Sequence, residues 1–425
     1  MIDNTVLITA YAVNPFKGSE DGMGWNMIIE IAKYNKVIAI TRENNEPAIN
    51  RYLDTHKIEQ ATNIQWLYFD LPYHLRFWKR GQRGALLYFY LWQMSMPSFI
   101  KKQNLGFDIV HNLNFHNDWT PTFLWKLGKP LIWGPVGHHP KIPAEFLRRY
   151  GRRFEFLDQL KWSAKQFFWK YDPFLRKAAQ SASAILAMNS EAGTHFPTSP
   201  HKFHRLPSVG SEPIPHSNAV KSDVFTILSV GRFVPLKGFD VTINAFAHFY
   251  HRLSKEQHSK VRLVLVGKGP SLEDLVQITD SEGIKGAVDF VPWMKRSDLL
   301  DLYQTADLFL FPSHEGAGMV VSEAFSMGLP VICFDNSGPG EFVQSDCGRK
   351  VEYGPYQKVV EAFADHLMNL YQNDALREQL SEGALKRHKE VFDWAHKGWK
   401  VNEIYKAILS EKEREYENSR HTFAE

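Results

Sequence analysis

The chain has 425 residues, a formal net charge of +3, 44% hydrophobic residues and 23% charged residues. This length exceeds one ordinary hydrophobic core and fits two domains of about 200 residues each. The composition is that of a folded globular protein, and so small a net charge argues against a nucleic-acid-binding protein.

The cysteines and the N-terminus both favour a cytoplasmic protein. Cys333 and Cys347 form neither a disulfide framework nor a metal-binding pattern, which indicates a reducing compartment. The N-terminal run MIDNTVLITAYAV has no cationic lead and is of strand length, so it predicts no secretory signal. The longest apolar stretch, 85–99, is too short for a transmembrane helix.

Apolar strands alternate with helical patterns along the first half of the chain. The predicted strands are 5–12, 37–41, 64–69, 107–111, 131–133 and 184–188. The loop after the first strand contains Gly18, at the strand end where α/β proteins bind ligands, although glycine turns are also common there without a ligand. His111 and His116 lie at or after the fourth strand, where a histidine is either functional or a satisfied structural residue.

Two adjacent histidines, His138 and His139, follow the fifth strand in the sequence GPVGHHPKIP. Successive residues rarely converge on one metal ion, and no carboxylate cluster adjoins them in the sequence. We interpret both as pocket lining, and we expect no metal.

The segment 146–170 is basic and aromatic. It contains seven Lys and Arg residues and two acidic residues. Such a stretch is typical of a helix in an anionic membrane interface, and equally of a surface helix that packs its apolar stripe on the protein. The predicted stripe consists of Phe146, Tyr150, Phe154, Leu157, Ala164 and Phe168.

The polar segment 208–223 predicts a domain boundary, and strands and helices alternate again after it. Predicted strands at 225–230, 261–266 and 329–335 indicate a second parallel sheet. Gly231, Arg232 and Lys237 follow the first of these strands.

The sequence FPSHEGAGMVVSEAFSMG places Glu315 and Glu323 eight positions apart, with glycines behind the first acid and a helix beginning near Met319. Glycine leaves backbone N–H groups unshielded, and a helix N-terminus attracts anions. Eight positions span slightly more than two turns, which points Glu323 back toward the loop of Glu315. The spacing alone also fits two exposed glutamates around an ordinary strand, loop and helix.

In this chain order, Arg232, Lys237, Glu315 and Glu323 match a pattern of the retaining GT-B glycosyltransferases of family 4, the glycosyl transferases group 1 type. The chain therefore resembles that family. The resemblance implies an α/β fold of two Rossmann-like domains whose parallel sheets face a central cleft. It implies an acceptor-side domain at 1–212, a donor domain at 213–392, and at 393–425 a helix that crosses back to the first domain, followed by a charged tail.

The resemblance also implies residue roles. Arg232 and Lys237 would clamp the donor diphosphate, Glu315 would bind sugar hydroxyls, and Glu323 would accept from the ribose. In the first domain, His111 or His116 would reach the transferred sugar or help orient the acceptor. The other implied donor contacts are Gly18, Gly231, Trp293, Gly316, Ala317, Gly318 and Met319.

The implied activity is hexosyl transfer from a nucleotide-diphosphate sugar to a hydroxyl acceptor with retention of anomeric configuration. The implied acceptor is a lipid-linked saccharide or glycolipid of cell-surface polysaccharide synthesis, which favours a location on the inner face of the plasma membrane. We expect no cofactor and no metal, since the chain has no Asp-x-Asp pair to hold a divalent ion on the diphosphate. Two alternatives stay open: a nucleotide-sugar epimerase of the same fold and a non-catalytic sugar-nucleotide-binding protein.

Overall fold

The computed structural model describes residues 4–81, 83–115, 117–196, 198–213, 223–292 and 294–422. The chain divides into two compact units. The first unit comprises Met1–His138, Ala164–Ser208 and Trp394–Glu425, and the second comprises His139–Ser163 and Val209–Asp393. The predicted domain boundaries near 212 and 392 therefore differ from this division mainly by the segment His139–Ser163, which packs with the second unit.

Each unit is built on one parallel sheet, as predicted. The first sheet has the order β3-β2-β1-β4-β5-β6-β7 and the second the order β10-β9-β8-β11-β12-β13. The strands are β1 Thr5–Thr9, β2 Lys36–Thr41, β3 Ile64–Tyr68, β4 Ile109–Asn112, β5 Leu131–Val136, β6 Ala184–Ala187, β7 Phe203–Arg205, β8 Phe225–Val230, β9 Val261–Val266, β10 Val288–Val291, β11 Leu308–Phe311, β12 Val331–Phe334 and β13 Gly348–Val351.

Helices connect most successive strands, and the last helix packs on α1 in the first unit. The helices are α1 Ser19–Ala32, α2 Glu46–Thr55, α3 Tyr73–Arg76, α4 Ala85–Lys102, α5 Ala144–Arg148, α6 Arg152–Tyr171, α7 Pro173–Ser181, α8 Phe239–Tyr250, α9 Lys255–His258, α10 Leu272–Ser281, α11 Arg296–Thr305, α12 Met319–Ser326, α13 Pro339–Phe342, α14 Tyr356–Gln372, α15 Asp374–Arg387 and α16 Trp394–Thr422.

The strands are nearly continuous apolar runs because helices cover both faces of each sheet. In β1, Val6 and Ile8 enter one core while Leu7 enters the core on the opposite face. In β8, Ile227 and Leu228 likewise point into two different cores. This alternation is the period of two that a strand imposes on its side chains.

The predicted single amphipathic stretch at 146–170 is wrong in its first part. The chain breaks at Gly151, whose φ of +108° suits glycine and no ordinary side chain, so α5 and α6 are separate helices. Phe146 is 2% exposed and lies in a core of the second unit, and the Tyr150 hydroxyl donates to Asp240 at 2.7 Å. The predicted stripe therefore does not form one surface.

Two polar residues of the first unit have defined local positions. Asp172 caps α7 by accepting from the backbone N–H groups of Phe174 and Leu175. His111, predicted at the end of a strand, lies inside β4. Among the described helices, none combines the length and the apolar character needed to cross a bilayer.

Candidate active site

Loops from neighbouring strands meet at the carboxyl edge of the second sheet. The loops after β8 and β11 are adjacent because those two strands pair in the sheet, and the loop after β12 lies beside them. A Cβ on Gly238 would lie 1.9 Å from the Pro312 carbonyl oxygen, and one on Gly338 would lie 2.0 Å from the Glu315 carbonyl oxygen. Only glycine permits such an approach, so these glycines bring the three loops into direct contact.

Lys237 and Glu315 form an ion pair within this group of loops. The Lys237 ammonium donates to both carboxylate oxygens of Glu315, at 2.6 and 2.7 Å. The two side chains are 14% and 16% exposed, so water screens the pair only partly. The ammonium also lies 5.1 Å from the centre of the Phe311 ring. The structure thus joins two predicted site residues that are 78 positions apart in the chain.

Helix α12 begins directly behind this pair. Its N-cap is Gly318, which has no side chain to cap the helix, and no acidic residue lies in the first turn. Gly316 and Gly318 are buried, while Ala317 and Met319 are half-buried. No acidic side chain of the first turn therefore compensates the positive end of the helix dipole, an arrangement that favours an anionic ligand.

Glu323 lies in α12 and is paired with a cation that the sequence analysis missed. Its carboxylate is 5% exposed and accepts from the Arg296 guanidinium at 2.7 Å. Arg296 is the first residue of α11, where the helix dipole disfavours a cation. This position costs little for an exposed side chain, so the sequence offered no more than a weak signal for the pairing.

The same carboxylate affects a buried tyrosine. Burial, and secondarily the charge of Glu323, raise the pKa of Tyr303 well above its usual value. The Tyr303 hydroxyl has no hydrogen-bond partner among the described residues. Glu323 is therefore set in a largely apolar environment, with Arg296 as its cation.

Arg232 and Gly231 lie where the loop after β8 begins. Arg232 is exposed, and its guanidinium forms no ion pair within the described part of the chain. The Gly231 N–H donates to the Val266 carbonyl at 3.0 Å, and Gly231 also lies beside the Lys237 stem. Trp293 lies outside the described residues, so its predicted contact with the base stays a prediction.

His314, next to Glu315, is a structural residue that the sequence analysis did not consider. Its ring lies within hydrogen-bonding distance of the Tyr353 hydroxyl at 2.9 Å and stacks on Phe334. Complete burial lowers the pKa of His314 to about 3, so the ring is neutral at physiological pH. It anchors the loop that carries Glu315.

The contacts of His111, a residue predicted for the first unit, are those of a structural histidine whose ring nitrogens both have partners. Its ring nitrogens lie 2.5 Å from the Tyr405 hydroxyl and 2.7 Å from the Gly134 carbonyl oxygen. Burial lowers the pKa of His111 to about 4. Gly18 is exposed at the N-cap of α1, and His116 lies outside the described residues.

The fold places carboxylates beside His138, which corrects the expectation that none adjoins it. Its Nδ1 lies 2.7 Å from Asp118, and its Nε2 lies 3.1 Å from Glu191. Asp118 and Glu191 are 20 and 53 positions away from His138 in the chain, so neither is visible as a neighbour in the sequence. His138 is buried, whereas His139 is exposed.

Comparison with known proteins gives a family for the second unit. Residues 211–387 match the family model described as glycosyl transferases group 1. The D-inositol 3-phosphate glycosyltransferase of Rhodococcus opacus (strain B4) is 33% identical over 185 residues, which are 42% of this chain and 40% of that protein. The lipopolysaccharide core biosynthesis glycosyltransferase LpsE of Rhizobium meliloti (strain 1021) is 29% identical over 38% of this chain and 44% of that protein. The chain thus aligns with less than half the length of these relatives.

Solved structures resemble almost the whole chain. The crystal structure of WaaG, a glycosyltransferase involved in lipopolysaccharide biosynthesis, matches with a TM-score of 0.59 at 19% identity and covers 94% of this chain and 99% of that one. Sucrose-phosphate synthase from Thermosynechococcus elongatus matches with a TM-score of 0.64 at 16% identity, over 96% of this chain and 100% of that one. At such identities the likeness concerns the fold. The chain therefore has the α/β GT-B fold of two Rossmann-like units, and residues 211–387 form a glycosyl transferases group 1 domain.

Proposed function

We propose that this protein transfers a hexosyl group from a nucleotide-diphosphate sugar to a hydroxyl acceptor, with retention of anomeric configuration. The observation that carries the proposal is the Lys237–Glu315 ion pair at the carboxyl edge of the second sheet, beside the uncapped start of α12. The pair offers a cation to a phosphate and an acceptor to sugar hydroxyls within one contact.

The departing diphosphate is the group that this site would stabilise. Negative charge grows on it as the glycosidic bond breaks, and preorganised positive charge lowers the barrier. Lys237 and the start of α12 supply that charge, and Arg232, exposed in the same loop as Lys237, adds a guanidinium that suits bidentate contact with oxygens. On this basis the transfer needs no divalent ion at the diphosphate.

Glu315 binds the transferred sugar and does not attack it. Its two oxygens already accept from Lys237, and they would exchange part of that contact for sugar hydroxyls. Glu323, buried in α12 and oriented by Arg296, is the acceptor for the ribose hydroxyls. Retention without a covalent nucleophile is the course implied by the family resemblance.

A donor panel tests the proposal. The purified protein is supplied with nucleotide sugars of different base and sugar, together with free or lipid-linked saccharide acceptors, and release of nucleoside diphosphate is measured. We expect acceptor-dependent release that Lys237→Met lowers at least tenfold, and NMR of the product gives its anomeric configuration. Isomerisation of a donor without acceptor would indicate the epimerase instead, and donor binding without turnover would indicate a sugar-nucleotide-binding protein.

We further propose that α6 binds an anionic membrane surface, which suits a lipid-linked acceptor of cell-surface polysaccharide synthesis on the cytoplasmic side. Its outward face carries Phe156, Leu160, Phe167 and Tyr171, exposed by 67%, 57%, 59% and 60%. At 3.6 residues per turn these four side chains fall within about 60° of one another. The helix also carries five Lys and Arg residues against two acidic ones.

Flotation with vesicles tests this second proposal. We expect the wild type to float with anionic vesicles. The variant in which Phe156, Leu160, Phe167 and Tyr171 are all changed to Ser should stay in solution. The control variant carries Leu272→Ser and Trp399→Ser, which remove exposed apolar side chains elsewhere. Equal flotation of both variants, or none of the wild type, would contradict membrane binding through α6.

A further inference from the structure

Four side chains that the proposed sugar transfer does not use converge in the first unit. Asp118 follows β4, His138 follows β5, and Glu191 and His195 follow β6. These three strands are adjacent and parallel, so their carboxyl ends lie at the same edge of the sheet. The topology therefore gathers two imidazoles and two carboxylates from three separate loops.

The distances within this cluster suit a shared ligand. Three potential ligand atoms lie within 4.8 Å of one another. They are a carboxylate oxygen of Asp118, a ring nitrogen of His138 and a ring nitrogen of His195. Ligands on a tetrahedral zinc ion are about 3.4 Å apart, given metal–ligand distances of about 2.1 Å. Because His195 is exposed, its side chain can make the remaining adjustment without disturbing a core.

Both ring nitrogens of His138 face a carboxylate, so a metal ion would replace one of these two contacts. Its Nε2 lies 3.1 Å from Glu191, and its Nδ1 faces the Asp118 carboxylate at 2.7 Å. If Nε2 carries the proton and donates to Glu191, Nδ1 and the Asp118 carboxylate are two acceptors that face each other, and a shared cation would relieve their repulsion. Metal-binding histidines are oriented in this way by a carboxylate on the other nitrogen.

A second and independent observation points to a cation here. The Asp118 side chain is 1% exposed, and its Oδ1 has no hydrogen-bond partner among the described residues. A buried carboxylate oxygen without a donor is costly, and such groups are normally paired or coordinate metals. A cation held by Asp118 would remove this cost.

Trp169 holds the cluster in place. Its indole N–H donates to the Asp118 carbonyl oxygen at 2.9 Å. Its ring stacks on His195 with centroids 3.8 Å apart and lies nearly parallel to His138 at 5.8 Å. Trp169 thus contacts all three residues of the cluster; Asp118 and His138 are buried, and the exposed His195 ring can still shift along the indole.

We propose that Asp118, His138 and His195 bind a divalent transition metal ion, with Zn²⁺ as the best chemical match, and that Glu191 orients His138. Two imidazoles and one carboxylate are a ligand set typical of zinc and of non-haem iron sites. The site lies in the first unit, on residues other than the proposed donor contacts. It is independent of the metal-free course proposed for the sugar transfer.

Metal titration of the whole chain tests the proposal. Protein stripped with a chelator is titrated with Zn²⁺ by calorimetry, and with Co²⁺ by its visible absorption, which reports the ligand field. We expect one ion per chain and a loss of affinity of at least about tenfold in Asp118→Asn and in His195→Gln. The matched control is His201→Gln, which removes an exposed histidine of the same unit outside the cluster.

His195→Gln keeps the test decisive because the residue is exposed and its loss leaves the core intact. Circular dichroism establishes that this variant is folded. Failure of the wild type to bind one equivalent of Zn²⁺, or equal affinity in His195→Gln and His201→Gln, would overturn the proposal. The cluster would then be an imidazole held between two carboxylates.

Discussion

Changing Glu315 to Gln should separate the binding of nucleoside diphosphate from the binding of nucleotide sugar. Glu315 shares the Lys237 ammonium, which has three donors and uses two of them on the carboxylate at 2.6 and 2.7 Å. A phosphate oxygen on the third donor would lie about 4.5 Å from the Glu315 oxygens, given tetrahedral geometry at nitrogen. The carboxylate therefore repels the phosphate that Lys237 attracts.

The magnitude follows from the distance and the exposure. Two unit charges about 4.5 Å apart repel by about 4 kcal/mol at an effective dielectric constant of 20 and by about 1 kcal/mol in water. The Lys237 and Glu315 side chains are 14% and 16% exposed, and a bound phosphate would also be in contact with solvent. We therefore expect a repulsion between phosphate and carboxylate of about 1–2 kcal/mol. Glu315→Gln should thus tighten nucleoside diphosphate binding about five- to thirtyfold. The sugar-bearing donor should gain less, because the amide is a weaker acceptor for its hydroxyls.

Calorimetry with whichever nucleoside diphosphate binds the wild type measures the first effect, and the matching nucleotide sugar measures the second. Lys237→Met is the opposite variant and should weaken nucleoside diphosphate binding about ten- to a hundredfold. Asp280→Asn is the control, since it breaks an exposed pair with Lys285 in the same unit. Unchanged or weaker nucleoside diphosphate binding in Glu315→Gln would refute the reasoning.

Three further predictions concern other residues of the second unit and the core of the first. Arg232→Ala should lower turnover efficiency about ten- to a hundredfold with an unchanged melting temperature, because the residue is exposed; unchanged kinetics would remove it from the site. Glu323→Gln should weaken nucleotide-sugar binding in calorimetry, and Arg296→Ala should do so through the loss of the 2.7 Å contact; equal affinity would contradict a ribose role. His111 and His314 have pKa values lowered to about 4 and about 3, so the unfolded chain binds more protons and stability falls as pH drops from about 6.5 toward 4. As pH drops across this range, the melting temperature should fall less in His314→Gln than in the wild type. If the two plots of melting temperature against pH are parallel, His314 does not contribute to the loss of stability.

Much of the fold could be predicted because the strands are continuous apolar runs bounded by glycine loops. The parallel sheets and the group of Lys237, Glu315 and the start of α12 follow from local patterns and family resemblance. Glu323 was predicted as a site residue, but its partner Arg296 was not, since no periodicity links residues that are 27 positions apart. Local signals identify the elements, whereas the pairing of charges depends on how those elements are packed.

The role that the sequence left open for His111 and the errors at His138 and at 146–170 have the same origin. The partner of His111 is Tyr405, which is 294 positions away, and the carboxylates of His138 come from two other loops. In α6 the apolar residues are so numerous that more than one stripe fits the helical period. Of the residues chosen from the sequence, Phe154, Leu157 and Ala164 are exposed and Phe168 is half-buried. Only the packed structure shows that the most exposed apolar side chains of α6 are Phe156, Leu160, Phe167 and Tyr171.

The charge balance of the second unit bears on which ligand the site can accept. Glu315 and Glu323 are each paired with a cation before any ligand binds. A ligand that breaks one of these ion pairs must therefore offer new partners to both of its members. A free sugar offers hydroxyl donors to Glu315 but no anion to Lys237, and a nucleoside diphosphate offers the reverse. A sugar joined to a diphosphate supplies both at once, so neither half of the Lys237–Glu315 pair is left without a partner. Discrimination for the intact donor therefore follows from the resting ion pair itself, and it should disappear when the carboxylate is neutralised in Glu315→Gln.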